Sequence, residues 1–264
     1  MEAMWQIGAF VRPWGKFSFE EALAGVAAAG YPVVGLLGGV ADISLALDGM
    51  DTAAIQARLA GHGLTANLAC LHVDHNATEG EAFASLARQV DSAKALGVRY
   101  LMTFGADHEP QFARWYAATH FAATQAEAHG IQVVFKPHGG CTAAADEIEH
   151  CFDQIAHPNV SLWFDAGNII HYTDKDPVVE ARRVAARTSG FCAKDCATLR
   201  GDVMLEFGEG KVDFHSVFET LAEGGFSGPV MVECCHMGTL DETTASARRN
   251  REFLEWVRRE AILT

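Results

Sequence analysis

Short apolar runs alternate along the chain with longer stretches in which apolar and charged residues recur at helical spacing. Runs of about four to eight apolar residues are typical of buried strands, whereas helices need about ten or more. The spacing therefore predicts amphipathic helices between the runs, for example at 19–30, 80–97 and 112–130, and a last helix at 241–260. Eight strands are predicted, at 6–11, 31–37, 64–73, 98–105, 131–137, 160–167, 189–195 and 229–235.

The alternation of strands and helices predicts a single α/β domain, a (β/α)8 TIM barrel that spans residues 1–264. Such barrels typically have about 250 residues. The chain contains seven prolines and no low-complexity tract that could act as a linker. An open doubly wound sheet is the alternative, but no glycine-rich phosphate fingerprint follows the first strand.

Composition excludes several classes of protein. The mean hydropathy is +0.06, and no apolar run approaches the ~20 residues of a membrane span. A net charge of −14 argues against a nucleic-acid partner, because such proteins carry a basic surface. The first residues are too acidic for a secretory signal. The seven cysteines form no CxxC pair, so we expect all to be reduced, in a cytoplasmic protein.

The run 131–140 reads IQVVFKPHGG, an apolar strand that ends in a lysine, a histidine and two glycines. Alternate residues of a strand share a face. If Phe135 faces away from the space that the strands enclose, Lys136 points into that space, on the same side as Val134. A buried lysine is costly unless it is paired or functional. The alternative is a lysine that bends out to solvent, and this segment alone does not decide between the two.

Polar residues follow most of the predicted strands, where the active sites of (β/α)8 barrels are found. Any one of them, such as His72, is more often a packing or loop residue than a functional one. Their convergence at one end of the barrel nevertheless indicates a site. They are Arg12, Trp14, Lys16, His72, Asp74, His75, Asn76, Asp107, His108, Glu109, Lys136, His138, Asp165, Asn168, His171, Tyr172, Cys192, Lys194, Asp195, Glu233 and His236.

Four motifs carry a resemblance to a known family: KPHGG, FDAGNIIHY, AKD followed by FGEGKVDF, and GPVMVE. In this order and spacing the chain resembles the xylose isomerase-like TIM-barrel superfamily, in particular its sugar (phosphate) isomerase/epimerase branch. The resemblance covers nearly the whole chain. It implies one divalent cation held by Glu on strand 5, Asp on strand 6, His on strand 7 and Glu on strand 8.

The resemblance transfers to this sequence only in part. Asp165 and Glu233 match the carboxylates of strands 6 and 8. Lys136 stands where strand 5 should offer Glu, and Cys192 stands where strand 7 should offer His. Asn168 replaces a histidine that often follows the strand 6 aspartate.

These departures leave two interpretations of the site. In one, Asp165, Glu233 and His138, with Cys192 as a further candidate ligand, hold a divalent metal such as Mn²⁺, Zn²⁺, Mg²⁺ or Fe²⁺. In the other, no metal binds, and Lys136 and Lys194 supply the positive charge. We expect Glu233, Lys136 and His138 to be catalytic. The predicted substrate-binding residues are His72, His75, Lys194, Trp14 and Asn168.

The predicted function is isomerisation or epimerisation of a sugar or sugar derivative by proton transfer next to a carbonyl. A lyase or dehydratase acting on a keto-sugar or inosose, or a non-catalytic sugar-binding subunit, is the alternative. DNA repair of the endonuclease IV type is disfavoured by the net charge. The expected ligand is a small carbohydrate, and the sequence leaves open whether the chain forms a homo-oligomer.

The alternation of the strands also predicts how the site is built. Asp165 should face Glu233 across the barrel mouth, and Lys136 should lie within salt-bridge distance of one of them. On strand 8, Met231, Glu233 and Cys235 should share the inward face.

Overall fold

Eight parallel strands form a closed barrel in the computed structural model, which describes residues 5–263. Each strand pairs with the next one along the chain, and β8 closes the barrel against β1. The strands are β1 (Ile7–Phe10), β2 (Val33–Leu36), β3 (Thr65–Cys70), β4 (Tyr100–Thr103), β5 (Gln132–Phe135), β6 (Val160–Phe164), β7 (Thr188–Ala193) and β8 (Val230–Val232). The predicted (β/α)8 barrel is confirmed. Residues 1–4 and 264 of the predicted domain lie outside the described residues.

A helix follows every strand, and two follow β6. The helices are α1 (Phe19–Ala28), α2 (Thr52–Gly61), α3 (Glu79–Leu96), α4 (Glu109–Glu127), α5 (Ala145–Ile155), α6 (Ala166–Thr173), α7 (Pro177–Val184), α8 (Phe214–Glu223) and α9 (Leu240–Leu263). Ser18 and Thr78 cap α1 and α3 through reciprocal hydrogen bonds with Glu21 and Glu81, which satisfies peptide N–H groups that have no partner within the helix. Among the described residues, no helix is both long and apolar enough to cross a membrane.

The strands are shorter than the apolar runs that predicted them, because each run continues past its strand into a loop. The run 64–73, for example, contains β3, which ends at Cys70. Loop residues beyond a strand have no fixed alternation, so their side chains take directions that the period of two does not predict.

The barrel separates two apolar clusters. The inner cluster fills the space enclosed by the strands and contains Phe10, Val33, Leu37, Leu68, Met102, Val134, Trp163, Cys192 and Met231. The larger outer cluster packs the strands against the helices, and Phe135 belongs to it. Val134 therefore faces inward and Phe135 outward, which directs Lys136 into the barrel.

Cys235 departs from the predicted alternation on strand 8. It was expected to share the inward face with Met231, but it lies in the outer cluster. Its sulfur is 3.7 Å from the carbonyl oxygen of Thr243, a residue of α9. The reason is that β8 ends at Val232, so Cys235 is a loop residue. All seven cysteines are free, as predicted.

Trp163 fills the inner cluster where β7 has no side chain. A Cβ atom added at Gly190 would lie 2.1 Å from the Trp163 ring. We therefore predict that Gly190→Ala lowers the free energy of unfolding by about 1–3 kcal/mol, the usual cost of overpacking a core. Urea denaturation measures this change.

Gly61→Ala is the matched control, because nothing lies within 4 Å of the added Cβ at the end of α2. We expect this variant to be as stable as the wild type or slightly more stable. Equal stabilities of the Gly190 and Gly61 variants would contradict the proposed packing of Trp163.

Candidate active site at the carboxyl ends of the strands

Four charged side chains meet inside the barrel just beyond β5, β6, β7 and β8. They are Lys136, Asp165, Lys194 and Glu233, and the exposed fraction of each side chain is 5% or less. The Lys136 ammonium lies 2.8 Å from Asp165 Oδ2 and also contacts Glu233 Oε2. The Lys194 ammonium lies 2.9 Å from Glu233 Oε1 and 3.3 Å from Asp165 Oδ2. We call this set the ion cluster.

The geometry confirms the predicted orientation of Lys136, and the alternative of a solvent-exposed lysine is wrong. Asp165 and Glu233 also lie together as predicted, but with both ammonium groups between their oxygens. An unpaired charge in such a place would cost several kcal/mol. Each charged side chain of the ion cluster can therefore be buried only because the oppositely charged members are buried next to it.

The pKa values of the cluster follow from this pairing. Burial acts to lower the pKa of Lys136, but the carboxylates of Asp165 and Glu233 outweigh it and hold this pKa well above its ordinary value. Burial acts to raise the pKa of Glu233, but Lys136, Lys194 and Arg12 hold it well below its ordinary value. Lys136 and Glu233 are thus both charged at neutral pH.

Asn168 supports the ion cluster from α6. The Asp165 side chain caps this helix by accepting a hydrogen bond of 2.9 Å from the Asn168 peptide N–H. The Asn168 amide donates to the Pro137 carbonyl at 2.6 Å and accepts from the Lys194 ammonium at 2.9 Å. Asn168 was predicted to bind substrate, but it is buried and its amide is engaged by protein groups at both ends.

Asp195 organises the loop that follows β7. Its buried carboxylate accepts hydrogen bonds from four peptide N–H groups, those of Cys196, Gly208, Gly210 and Val212. A Cβ at Gly210 would lie 2.1 Å from Asp195 Oδ1. The AKD and FGEGKV motifs are thus linked by a structural contact at the edge of the site.

His138 lies beside the ion cluster and is partly exposed. Its ring packs near Phe104 and Tyr172, with centroid separations of 5.3 and 5.2 Å. The Tyr172 hydroxyl is 3.4 Å from His138 Nε2. Burial, with the positive charges of Lys136 and Lys194, lowers the pKa of His138 to about 4. The imidazole is therefore neutral at neutral pH and can accept a proton.

Arg12 is a site residue to which the sequence analysis gave no role. It begins a 3-10 turn (Arg12–Trp14) that directly follows β1. Its guanidinium donates to Cys234 Sγ, and Nη1 lies 3.5 Å from Glu233 Oε1. Its side chain is 35% exposed, far more than any member of the ion cluster. The only feature of the sequence that pointed to a role for Arg12 in the site was its position immediately after the first strand.

Trp14 was predicted to bind substrate, and the structure places it elsewhere. It is fully buried in the outer cluster, and its indole N–H donates to Thr244 Oγ1 at 3.2 Å. A Cβ at Gly25 would lie 2.2 Å from the Trp14 indole nitrogen, so the ring rests directly on α1. The 3-10 turn after β1 directs Trp14 outward, which makes it a packing residue.

Two histidines in the loop after β3 were predicted to bind substrate, and neither takes part in the contacts described for the ion cluster. His72 is exposed and lines a cavity of about 870 Å³ beside the ends of β2 and β3. Cys70 lines the same cavity, and burial, with the charge of Glu233, raises its thiol pKa to about 12. The residues that line this cavity include no member of the ion cluster. His75 is half-buried and its Nδ1 has no hydrogen-bond partner within residues 5–263.

One group of candidate metal ligands is present among the described residues. Oxygen atoms of Asp165 and Glu233 and the sulfur of Cys192 lie within 4.8 Å of one another. The predicted shell contained His138 as a ligand, but His138 is not part of this group. The sequence order explains the difference, because His138 lies two residues beyond Lys136, where the chain has left β5.

Solved structures with the same fold include sugar epimerases. A D-allulose 3-epimerase from Methylomonas sp. in complex with D-allulose is 19% identical, with a TM-score of 0.74 over 96% of this chain and 97% of that one. An L-ribulose 3-epimerase is 18% identical, with a TM-score of 0.73 over 98% of both chains. A Mycobacterium smegmatis xylose isomerase-like TIM barrel protein in complex with magnesium is 17% identical, with a TM-score of 0.78 over 99% of both.

Sequence comparison defines the family. No curated protein has significant sequence similarity to the chain. The family model described as xylose isomerase-like TIM barrel matches residues 23–259, which include all four members of the ion cluster. The chain therefore belongs to the xylose isomerase-like TIM barrel family.

Proposed function

We propose that this protein is a sugar isomerase or epimerase that moves a proton next to a carbonyl group without a resident metal ion. One observation carries the proposal: the Lys136 ammonium lies between the carboxylates of Asp165 and Glu233 at the barrel mouth. This is the place where the resemblance implies a divalent cation. The sugar epimerases that share the fold support the substrate class.

The donor set of this site does not fit a divalent metal. The Lys136 ammonium already occupies the contacts with both carboxylates, and a protonated amine has no lone pair to offer a metal. Lys194 engages the same two carboxylates from the other side. Burial raises the pKa of the Cys192 thiol well above its ordinary value, so this candidate ligand stays protonated. We therefore assign the cationic role to the two lysines.

In the proposed mechanism, His138 removes a proton from the carbon next to the carbonyl. The neutral imidazole is available at neutral pH because of its low pKa. Lys136 and Lys194 stabilise the negative charge that develops on the carbonyl oxygen, as preorganised cations do in other active sites. An imidazolium beside two ammonium groups is unfavourable, so His138 readily returns the proton to the substrate.

Glu233 holds the two ammonium groups in position. Its side chain is 5% exposed to solvent, slightly more than the other members of the ion cluster. We propose that it delivers a proton to the opposite face of the carbon when the reaction inverts that centre. Glu233 is ionised at neutral pH, so this proton comes from the Lys136 ammonium that donates to its Oε2, and the proton taken up by His138 is returned to Lys136 through solvent. Epimerisation needs groups on both faces of that carbon, and Glu233 and His138 follow different strands, β8 and β5, that are separated by two others in the closed barrel. Isomerisation needs only His138.

The first prediction from this proposal concerns metal affinity. Lys136→Glu removes the competing ammonium and adds a carboxylate to Asp165 and Glu233. We expect its affinity for Mn²⁺ to exceed that of the wild type by about 10-fold or more, because carboxylates are good Mn²⁺ ligands. Lys136→Gln, which removes the charge but adds only a neutral oxygen, should give an intermediate affinity. Isothermal titration calorimetry measures all three.

Lys94→Glu provides the matched control, since Lys94 is an exposed residue of α3 and is not part of the site. It should bind Mn²⁺ no better than the wild type. A wild-type protein that binds Mn²⁺ as tightly as Lys136→Glu would contradict the assignment of Lys136 to the cation position.

The second prediction concerns proton transfer itself. A panel of ketoses incubated with the protein in D₂O should gain deuterium at the carbon next to the carbonyl, observed by proton NMR. His138→Gln should lower the exchange rate by about 10²-fold or more, the usual contribution of a general base or acid, and Glu233→Gln should lower the rate of epimer formation by a similar factor. His129→Gln, an exposed histidine beyond α4, should exchange at the wild-type rate.

The products distinguish the alternatives. Exchange with an isomer or epimer as product supports the proposal, whereas exchange followed by loss of water identifies a dehydratase with the same first step. Sugar binding without any exchange would show a binding protein and would overturn the proposed reaction.

A further inference from the structure

Among the residues that the structure describes, Arg12 is the one arginine that forms an ion pair with the ion cluster, and most of its hydrogen-bonding capacity is unused. A guanidinium carries five N–H donors. Within residues 5–263, its side chain makes one hydrogen bond, to Cys234 Sγ, and a thiol is a weak acceptor. The 3.5 Å separation from Glu233 Oε1 is longer than a normal N–H···O hydrogen bond.

Two of the other half-buried arginines are better satisfied, whereas Arg258 makes one hydrogen bond of 3.4 Å and Arg58 packs over the Phe19 ring, both away from the ion cluster. Arg114 donates to the carbonyl oxygens of His75 and Ala77. Arg251 donates to the carbonyl of Ala29 and to the carboxylate of Glu255. Arg12 is similarly placed with respect to solvent, yet among the described residues it has only the thiol of Cys234 and a 3.5 Å ion pair with Glu233, whose carboxylate is already shared by two lysines. Its remaining donors are directed to a group that the chain itself does not supply.

The backbone around Arg12 leaves room for its side chain. Gly38, in the loop after β2, has a φ of +90°, and an added Cβ there would lie 3.0 Å from Arg12 Cβ. Gly38 also lines the 870 Å³ cavity that Cys70 borders. A molecule in this cavity would therefore contact Gly38, which lies against the base of the Arg12 side chain.

The charges at the mouth do not balance. Arg12, Lys136 and Lys194 are positive, and only Asp165 and Glu233 oppose them in direct contact. The carboxylate of Asp195 is close in sequence, but four peptide N–H groups of its own loop already satisfy it. An excess positive charge in a protein with a net charge of −14 indicates an anionic ligand.

We propose that the substrate is a sugar acid, whose carboxylate is bound by Arg12. The inference rests on the proposed sugar chemistry at this mouth and adds the substrate class. A carboxylate is planar and pairs with two parallel guanidinium N–H groups. Its single charge matches the single excess positive charge. A phosphate dianion would overcompensate that charge and would bring a second negative charge close to Glu233.

Three sugars that differ only at C6 test the inference: D-glucose, D-glucuronate and D-glucose 6-phosphate. Isothermal titration calorimetry gives the dissociation constant of each without requiring turnover. We expect the wild type to bind D-glucuronate about 10-fold or more tightly than D-glucose, the usual gain from a hydrogen-bonded charge pair. D-glucose 6-phosphate should bind less tightly than D-glucuronate.

The variants assign the selectivity to Arg12. Arg12→Gln should reduce the ratio of the two dissociation constants, glucose over glucuronate, to near one, and Arg12→Lys should retain part of the ratio. Arg182→Gln, an exposed arginine on α7, should keep the wild-type ratio. A ratio that depends on Arg12 supports the inference even if no ketose exchanges deuterium, in which case only the proposed reaction fails.

Three results would overturn the sugar-acid inference. The first is equal binding of D-glucose and D-glucuronate by the wild type, which includes no measurable binding of either. The second is tighter binding of D-glucose 6-phosphate than of D-glucuronate. The third is a ratio of dissociation constants in Arg12→Gln equal to that of the wild type. Deuterium exchange of neutral ketoses alongside any of these results would leave the proposed reaction intact.

Discussion

The mutual burial of two lysines and two carboxylates is the interaction on which the site depends. Asp165 and Glu233 could not remain ionised inside the barrel without a cation, and the ammonium groups could not remain charged there without the two anions. The cation is part of the polypeptide, so its position is fixed when the chain folds. A bound metal would have to compete with two covalently tethered charges for the same oxygens.

The barrel makes this arrangement possible because four consecutive strands end at the same level. β5, β6, β7 and β8 are consecutive parallel neighbours, with one register shift between β6 and β7, and deliver one member of the ion cluster each. Beneath the cluster, Val134, Trp163, Cys192 and Met231 form an apolar floor. This floor excludes water from below, which strengthens the ion pairs and limits access to the open mouth. Arg12 and His138, the more exposed groups, are therefore the first that a ligand meets.

Much of the fold could be predicted because short runs of apolar residues indicate buried strands. The same period of two also led to the inward direction of Lys136, once Phe135 was taken as outward. The prediction failed where residues lie beyond a strand end: Trp14 turns outward in a 3-10 turn, and Cys235 turns into the helical layer. Arg12 was overlooked because its role depends on Glu233 and Cys234, more than 200 residues away, and no local pattern reveals such a contact.

The central claim is that Lys136 replaces the metal ion at the barrel mouth. Anomalous diffraction at the manganese edge, from wild-type crystals soaked in MnCl₂, tests it most directly. The account predicts no anomalous peak between Asp165 and Glu233, with the Lys136 ammonium in density between their oxygens. A manganese peak bound by these two carboxylates, with the Lys136 side chain displaced, would contradict it.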